Sequence, residues 1–459
     1  MLFALFIGLL AIAILLQASV RSRESARHIR PLDLGVVFAW VVFMYGGFPL
    51  LGIMLAGWGV GGLHDSRLGG ELPGDAQVVR VGLMYFLFLA GFAVTYGFER
   101  ARSRVAQPIG CDRSTSRDVV VVVTFLVCIK AAMIVIRAVL DIAPGEDYLA
   151  TYIEFSGQPL IVQQLVGVLS ASDLSAVILV VVVVIAKNPK LHGIVAAFIV
   201  MQIAATLLIG GSRSQAFACA LAYVVARSMY DRRLRFSSIV AAGVAGLVLF
   251  LIAGALRQAE SDEFSGLYLL QGGEFLSVFY NSLDLAERLQ DLDTTALRAG
   301  MYLVDLLRLV PRQIVGDLKL DPASFYVSTF YPDFSEAGGG LAFGAIAEST
   351  VGFGPAEALI RGALIGYLYA RVRNYCLQQQ LSVLRGFVYT WFVVLSYQAI
   401  RDTTFSVFPR FVFQVAPLLF AIWLTGTLRI RHTRSWSGRN ATGAVRHPTI
   451  HAPAAANPR

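Results

Sequence analysis

The chain has 459 residues, of which 56% are hydrophobic and only 15% are charged. This composition is more apolar than a soluble globular core requires, so it indicates an integral membrane protein. The formal net charge of +8 arises from basic loops between apolar segments, which indicates contact with anionic lipid and not with nucleic acid.

Apolar segments long enough to cross a bilayer recur along the whole chain. A spanning helix needs roughly 20 mainly apolar residues, which gives about eleven spans here. We therefore predict an all-α, polytopic membrane helix bundle. The predicted spans are residues 2–17, 34–56, 78–98, 118–140, 161–186, 192–211, 214–230, 236–256, 355–372, 385–400 and 410–428.

The charges of the loops alternate along the chain. Loops after the first, third, fifth, seventh, ninth and last spans are basic, whereas the loops between them are acidic. Short loops rich in Lys and Arg stay in the cytoplasm. We therefore expect the amino terminus and the large insert at 257–340 to face outward, and the carboxyl terminus to face inward.

Four parts follow from this topology. An amino-terminal transmembrane bundle covers 1–256, and a large outward loop with amphipathic and re-entrant segments covers 257–354. The carboxyl-terminal transmembrane helices cover 355–430, and the polar, Ala- and Pro-rich segment 431–459 is predicted to be a disordered cytoplasmic tail. The first span begins at Met1 but lacks a small-residue cleavage pattern after it, so we expect a retained membrane helix.

Two segments of the large loop have a distinct pattern. Residues 297–316 carry apolar side chains at helical spacing with arginines between them, which predicts an amphipathic helix at the membrane surface. Residues 343–372 are predicted to re-enter, because Gly352 and Gly354 interrupt the helix. Pro355 is well suited to the first position of the next span.

Ionisable residues inside predicted spans are costly and usually face a cavity or a partner. Lys130 and Arg137 lie on nearly the same face of one helix, and Asp141 follows one turn later. One interpretation is an Arg137–Asp141 structural pair with Lys130 against a carbonyl group. The other is a basic stripe that leads an anion into the bundle.

A second set of cations lies towards the predicted outer face. Arg213 follows Gly210, Gly211 and Ser212 at a helix start, where backbone amides and a guanidinium can form a phosphate seat. Arg257, Arg401 and Arg410 complete the set. Each alone is explained by interfacial snorkelling, but several at one face favour the grip of a diphosphate by paired hydrogen bonds.

Two carboxylates fall near the same face. Glu357 and Arg361 are one helical turn apart and are expected to form an intrahelical pair. Glu348 has no obvious local partner, so we take it as the candidate general base for a hydroxyl nucleophile.

Other chemical signatures are weak or absent. The chain has no HExxH, G-x-S-x-G or Walker motif, and the insert contains no histidine. Asp291 and Asp293 have DxD spacing, but such spacing is common by chance in an acidic loop. We therefore predict no metal and no cofactor. The four cysteines lie in spans and inward loops, so no disulfide framework is expected.

Four segments together resemble the bacterial oligosaccharide repeat-unit polymerases, or O-antigen polymerases of the Wzy type. They are GGSRSQAFACALAYVVARSM, AGMYLVDLLRLVPRQI, FGAIAESTVGFGPAEALIRGALIGYLYARV and YQAIRDTTFSVFPRF. The large outward loop before the last spans adds to the resemblance, which covers most of the second half of the chain.

The resemblance implies inverting, metal-independent glycosyl transfer at the periplasmic face of the bacterial inner membrane. The donor and acceptor are undecaprenyl-diphosphate-linked oligosaccharides, and a polysaccharide chain-length regulator is a candidate further partner. Arg213, Arg257, Arg401 and Arg410 would hold diphosphate, and Glu348 would orient or deprotonate the acceptor hydroxyl. Lys130 and Arg137 are further diphosphate candidates.

Two alternatives stay open. A lipid-linked saccharide flippase or other transporter would also line a cavity with cations, although the sequence shows no paired halves with matching interrupted helices. An O-antigen ligase has similar topology but uses a histidine in the large loop, and this insert has none.

Overall fold

The computed structural model describes residues 1–23, 32–57, 74–102, 114–139, 160–208, 213–230, 273–289, 295–307, 309–310, 322–336, 341–377 and 381–424. Across this part of the chain the secondary structure is helical and contains no strand. The predicted all-α class is therefore confirmed. Residues 1–428 form one compact unit. The predicted span at 236–256 and the predicted tail at 431–459 lie outside the described residues.

The helices coincide with the predicted spans to within six residues at each end wherever the structure describes the chain. The span predicted at 385–400 is divided into two helices by a turn at 396–397. The helices are α1 (Leu2–Arg23), α2 (Leu34–Gly57), α3 (Asp75–Arg102), α4 (Ser116–Val139), α5 (Leu160–Lys187), α6 (His192–Leu208), α7 (Arg213–Tyr230), α8 (Gly273–Arg288), α9 (Thr295–Leu306), α10 (Pro322–Phe330), α11 (Pro332–Glu336), α12 (Ala345–Val351), α13 (Pro355–Leu377), α14 (Val383–Leu395), α15 (Gln398–Arg401) and α16 (Val407–Leu424).

Six segments of the described chain are long and apolar enough to cross a membrane, which indicates a multi-pass membrane protein. They are Leu2–Val20, Leu34–Gly57, Asp75–Arg102, Ser116–Ile136, Val383–Arg401 and Val407–Leu424. Helices α6 and α7 contain shorter apolar stretches. Helix α13 includes Glu357, Arg361 and Arg373, which lower its hydropathy. The number of about eleven spans stays a prediction.

Contacts near the helix ends fix the directions of four helices. Arg100 of α3 donates to the carbonyl of Val20 at the end of α1, and Asn374 at the end of α13 donates to the carbonyl of Glu99. Helices α1, α3 and α13 are therefore parallel. Helix α2 runs the opposite way, because Asp33 at its start accepts from Tyr96 near the end of α3. These directions agree with the predicted alternation of the loops. We call the two ends of the bundle the Pro355 end and the Leu377 end.

Helices α3 and α13 approach so closely that small residues are required between them. A Cβ atom at Gly362 would lie 2.0 Å from the carbonyl oxygen of Phe88, and one at Gly91 would lie 2.3 Å from that of Leu359. Thr95 adds an interhelical hydrogen bond of 2.9 Å to the carbonyl of Ala363. Such close packing of small residues is the usual way to hold apolar helices together in a membrane. It fixes α13, on which the site described below is built.

Candidate functional site

The helical path of the chain is interrupted near the Pro355 end, before α12 at Gly344 and between α12 and α13 at 352–354. Thr350 at the end of α12 contacts Met84 of α3, and a Cβ atom at Gly354 would lie 3.7 Å from the guanidinium of Arg80 of α3. Gly344 and Gly354 have φ angles of +89° and +66°, which favour glycine. Helix α13 then begins at Pro355, as predicted. Re-entry of this segment into the membrane stays a prediction.

Arg361 lies about 9 Å along the axis of α13 from Pro355, where three carboxylates converge on its guanidinium. Its Nη1 lies 3.0 Å from Oε2 of Glu348 and 3.1 Å from Oδ2 of Asp305. Its Nε donates to Oε1 of Glu357 at 2.6 Å, which confirms the predicted intrahelical pair. We call these four residues, with Thr404 and Tyr302, the Arg361 cluster. Its members come from α9, α12, α13 and the turn before α16.

Glu348 is fully buried in this cluster. Its Oε2 accepts hydrogen bonds from the Thr404 amide at 2.8 Å and from the Thr404 hydroxyl at 2.6 Å, in addition to that from Arg361. The sequence analysis did not identify Thr404 as a partner of Glu348, or Asp305 as a partner of Arg361. The members of each pair are distant in sequence, so no local spacing indicates them.

Glu357 connects the cluster to the turn between α12 and α13. Its Oε2 accepts from the amide of Phe353 at 2.8 Å and from the hydroxyl of Tyr302 at 2.6 Å. Burial, followed by the hydrogen bond to Glu357, raises the pKa of Tyr302 above its usual value. Tyr302 therefore remains a neutral donor. Arg298, on the same face of α9, donates to the carbonyl of Val351 at 2.7 Å.

The predicted arginines Arg401 and Arg410 flank the turn that contains Thr404 of this cluster. Arg401 ends α15 and is partly buried, and Arg410 forms a close ion pair with Asp402. The amide of Gly344 donates to the carbonyl of Asp402 at 2.8 Å, which joins this turn to the start of α12. The fold thus brings the segment of Arg401 and Arg410 next to Glu348, two regions that the sequence analysis had placed in one site.

The other predicted cations are not part of the Arg361 cluster as far as the structure describes them. Lys130 of α4 contacts Asp173 of α5 at 2.7 Å and Gln202 of α6 at 3.4 Å. Lys130 therefore has a carboxylate partner instead of the carbonyl that one interpretation expected. The side chains of Arg137 and Arg213 lie outside the described residues, as do Arg257 and Asp141.

The insert contains a second polar cluster that the sequence analysis did not identify. Asp284 of α8 accepts from Tyr326 at 2.6 Å, from Tyr331 at 2.7 Å and from Arg288 at 2.8 Å. The guanidinium of Arg288 also lies over the ring of Phe330, 5.3 Å from its centre. Burial and the hydrogen bond to Asp284 raise the pKa of Tyr326. These contacts join α8 to α10 and to Tyr331, which directly precedes α11, and they show Tyr326, Phe330 and Tyr331 as packing residues of the insert.

The arrangement around Arg361 supplies a fixed carboxylate next to cations, which suits proton transfer and the binding of charged or hydroxylic groups. Asp291 and Asp293 lie outside the described residues, and within the described part no three Asp, Glu, His or Cys side chains are grouped as metal ligands. The chain matches no protein-family model, no curated protein and no solved structure.

Proposed function

We propose that the protein polymerises undecaprenyl-diphosphate-linked oligosaccharide repeat units by inverting, metal-independent glycosyl transfer. The observation that supports this most is the setting of Glu348. Its carboxylate lies on a broken helix at the Pro355 end, held by Arg361 and Thr404. The turn that contains Thr404 lies between Arg401, at the end of α15, and Arg410, in α16. A carboxylate next to cations is what transfer from a diphosphate to a hydroxyl requires.

The proposed step forms a bond between the acceptor hydroxyl oxygen and the anomeric carbon of the donor. The bond from that carbon to the diphosphate oxygen breaks, and the electron pair leaves with undecaprenyl diphosphate. Glu348 orients the acceptor hydroxyl and takes its proton. Arg401 and Arg410, with Arg213 and Arg257, stabilise the charge on the leaving diphosphate; Lys130 and Arg137 are assigned to the approach of that anion.

Thr404 gives this role a specific geometry. Its hydroxyl lies 2.6 Å from the Glu348 carboxylate, so it marks a direction from which a hydroxyl group reaches that oxygen. In the proposed reaction the acceptor hydroxyl approaches the Glu348 carboxylate beside Thr404, and the hydroxyl and amide of Thr404, with Arg361, keep Glu348 oriented. Glu357 and Asp305 position Arg361 through their ion pairs.

The proposed activity places the Pro355 end at the periplasmic face of a bacterial inner membrane, with residues 257–354 in the large periplasmic loop. A reporter that is active only in the periplasm should be active when fused after Ser324 and silent when fused after Arg434. The opposite pattern would reverse the orientation and remove the proposed site from the periplasm.

The decisive experiment measures polymer formed from lipid-linked repeat units by membranes that contain equal amounts of each variant. Glu348→Gln should lower the transfer rate by about a hundredfold while substrate binding is kept. Arg401→Lys should also lower the rate, since lysine keeps the charge but cannot form two parallel hydrogen bonds. The matched controls are Glu287→Gln on the exposed side of α8 and Arg102→Lys, whose side chain is 68% exposed; both should polymerise normally.

The same assay separates the alternatives. Normal polymer from Glu348→Gln and Arg401→Lys would remove this site from the reaction. Movement of lipid-linked repeats across vesicles without polymer would favour a transporter, and transfer of glycan to a lipid A-type acceptor would favour a ligase. Excess chelator should leave polymerisation intact. Loss that Mg²⁺ or Mn²⁺ restores would instead assign a metal role to Asp291 and Asp293.

A further inference from the structure

We propose that α9 lies in the surface of the lipid bilayer, where it forms the wall between the Arg361 cluster and the acyl chains of one leaflet. The occupant of its exposed face is thus lipid hydrocarbon. The sequence pattern indicates an amphipathic surface helix, and the structure adds which face meets lipid and what the opposite face covers. This inference does not depend on the proposed polymerase activity.

One face of α9 is polar and is attached to the site. Arg298, Tyr302 and Asp305 follow one another at helical spacing, and they bond to Val351, Glu357 and Arg361, in that order. The adjacent face, formed by Leu297, Met301 and Val304, is buried in the protein. These contacts fix the rotation of α9 about its axis. The residues left facing away from the protein are therefore determined by the structure and not by the sequence pattern alone.

The exposed face of α9 is apolar. Ala299, Leu303 and Leu306 point outward, and Leu306 is 82% exposed. Leu309, just after the helix, is 56% exposed. A helix face in water usually carries charged or polar residues. Thr295 at the first position of the helix is the one polar residue among the exposed residues of α9 that the structure describes. The rest of this face is apolar and unfavourable to expose to water.

The other helices of the insert have the opposite character. The exposed positions of α8, α10 and α11 include Glu287, Ser328, Thr329 and Asp333. All four are polar or charged, as expected for surfaces in water. The apolar exposure on α9 is therefore not a general property of the insert. It marks a different environment for this one helix.

The apolar face of α9 continues into the exposed side of α13. Phe353, in the turn before α13, is 69% exposed. Ile360 and Leu364 of α13, which lie from this turn towards the Leu377 end, are also exposed. The ring of Phe353 stacks on Tyr302 of α9, with ring centres 6.3 Å apart. One apolar strip thus runs from the long helix α13 across Phe353 to α9. Hydrocarbon against the bundle would extend along this strip to α9.

Arg298 has the position expected at such a boundary. Its guanidinium lies over the ring of Phe353, 5.6 Å from the ring centre, while its Nε is bonded to the Val351 carbonyl. Basic side chains at the edge of an apolar surface keep their charge at the level of the lipid headgroups. The order from α13 upward is therefore apolar side chains, an aromatic ring and then a cation, as at a membrane interface.

The test uses fluorescent labels on single cysteines in full-length protein whose four native cysteines are replaced by alanine. Leu306→Cys is compared with Asp333→Cys on α11 and with Ile360→Cys on α13, in nanodiscs of phosphatidylcholine brominated near the middle of one acyl chain. We expect the Leu306 and Ile360 labels to lose at least about half of their fluorescence relative to unbrominated lipid. The Asp333 label should be quenched by iodide in the water instead.

A second measurement avoids the removal of cysteines. A photoreactive benzoylphenylalanine at position 306 of the otherwise native chain should crosslink to acyl chains of phosphatidylcholine, whereas one at position 333 should not. Quenching of the Leu306 label by iodide, without quenching by brominated lipid, would overturn the inference. So would protection of that label from both quenchers, which would mean that protein covers this face.

Discussion

Helix α13 carries a buried arginine towards each end, and the two have different surroundings. Arg373, near the Leu377 end, donates through Nε to Asp33 at 2.7 Å, and both side chains are 1% exposed. Arg361, near the Pro355 end, contacts three carboxylates. Arg373 thus pairs with the carboxylate of Asp33, whereas Arg361 lies at the centre of a cluster of three carboxylates.

The difference lies in the backbone that supplies the partners. Asp33 stands at the start of the regular helix α2, where it also accepts from the Gly35 amide and from the hydroxyl of Tyr96. The partners of Arg361 come instead from a broken helix, a turn and the insert. Buried ion pairs at regular helix ends fix the packing of helices. Carboxylates gathered at helix breaks are typical of sites where chemistry occurs.

The largest expected effect is on the Asp33–Arg373 pair. Arg373→Met leaves the Asp33 carboxylate buried without this cation, so it should lower the free energy of unfolding by about 3–5 kcal/mol. Thermal unfolding of the purified protein in detergent measures the change. The control is Arg371→Met, since the Arg371 side chain is 61% exposed. Equal unfolding temperatures of the two variants would contradict a stabilising role of the Asp33–Arg373 pair.

A smaller effect is expected at Thr404. Thr404→Val keeps the shape of the side chain but removes the hydroxyl that donates to Glu348, which should cost about 1.5–3 kcal/mol of stability or of transition-state binding. If the Arg361 cluster is catalytic, the transfer rate should fall more than the unfolding temperature indicates. Thr404→Ser, which keeps the hydroxyl, should restore both. If Thr404→Val lowers only the stability, the Arg361 cluster has a structural role like that of the Asp33–Arg373 pair.

The smallest expected effect tests the close contact between α13 and α3, which positions both Arg361 and Arg373. Gly362→Ala places a methyl group against the Phe88 carbonyl, which should cost about 1–3 kcal/mol by overpacking. Arg361 is adjacent to Gly362, so the transfer rate should fall while the Asp33–Arg373 pair persists. Gly97→Ala on α3 is the matched control, because a Cβ atom there would meet nothing within 4 Å. Equal transfer rates and unfolding temperatures of Gly362→Ala and Gly97→Ala would contradict the close approach of α3 and α13.

The site was predictable only where its chemistry is local. Pairing of Glu357 with Arg361 followed from their spacing on one helix, and the start of α13 followed from Pro355 after Gly354. Glu348 was selected from the sequence because no residue at helical spacing was an obvious partner, and its role as a base stays a prediction. Its true partners, Arg361 and Thr404, were not predictable, because they lie on the next helix and on a turn far along the chain.

The sequence by itself determined the all-α class, the positions of the apolar helices that the structure describes and the directions of α1, α2, α3 and α13. These properties depend on hydropathy and loop charge, which act locally. Only the tertiary structure decided which buried charges meet. The pairing of Asp33 with Arg373, and the gathering of Asp305, Glu348 and Glu357 on Arg361, depend on helices brought together by close packing at Gly91 and Gly362. A charge in an apolar protein must find a partner, and the packing of the helices selects which one.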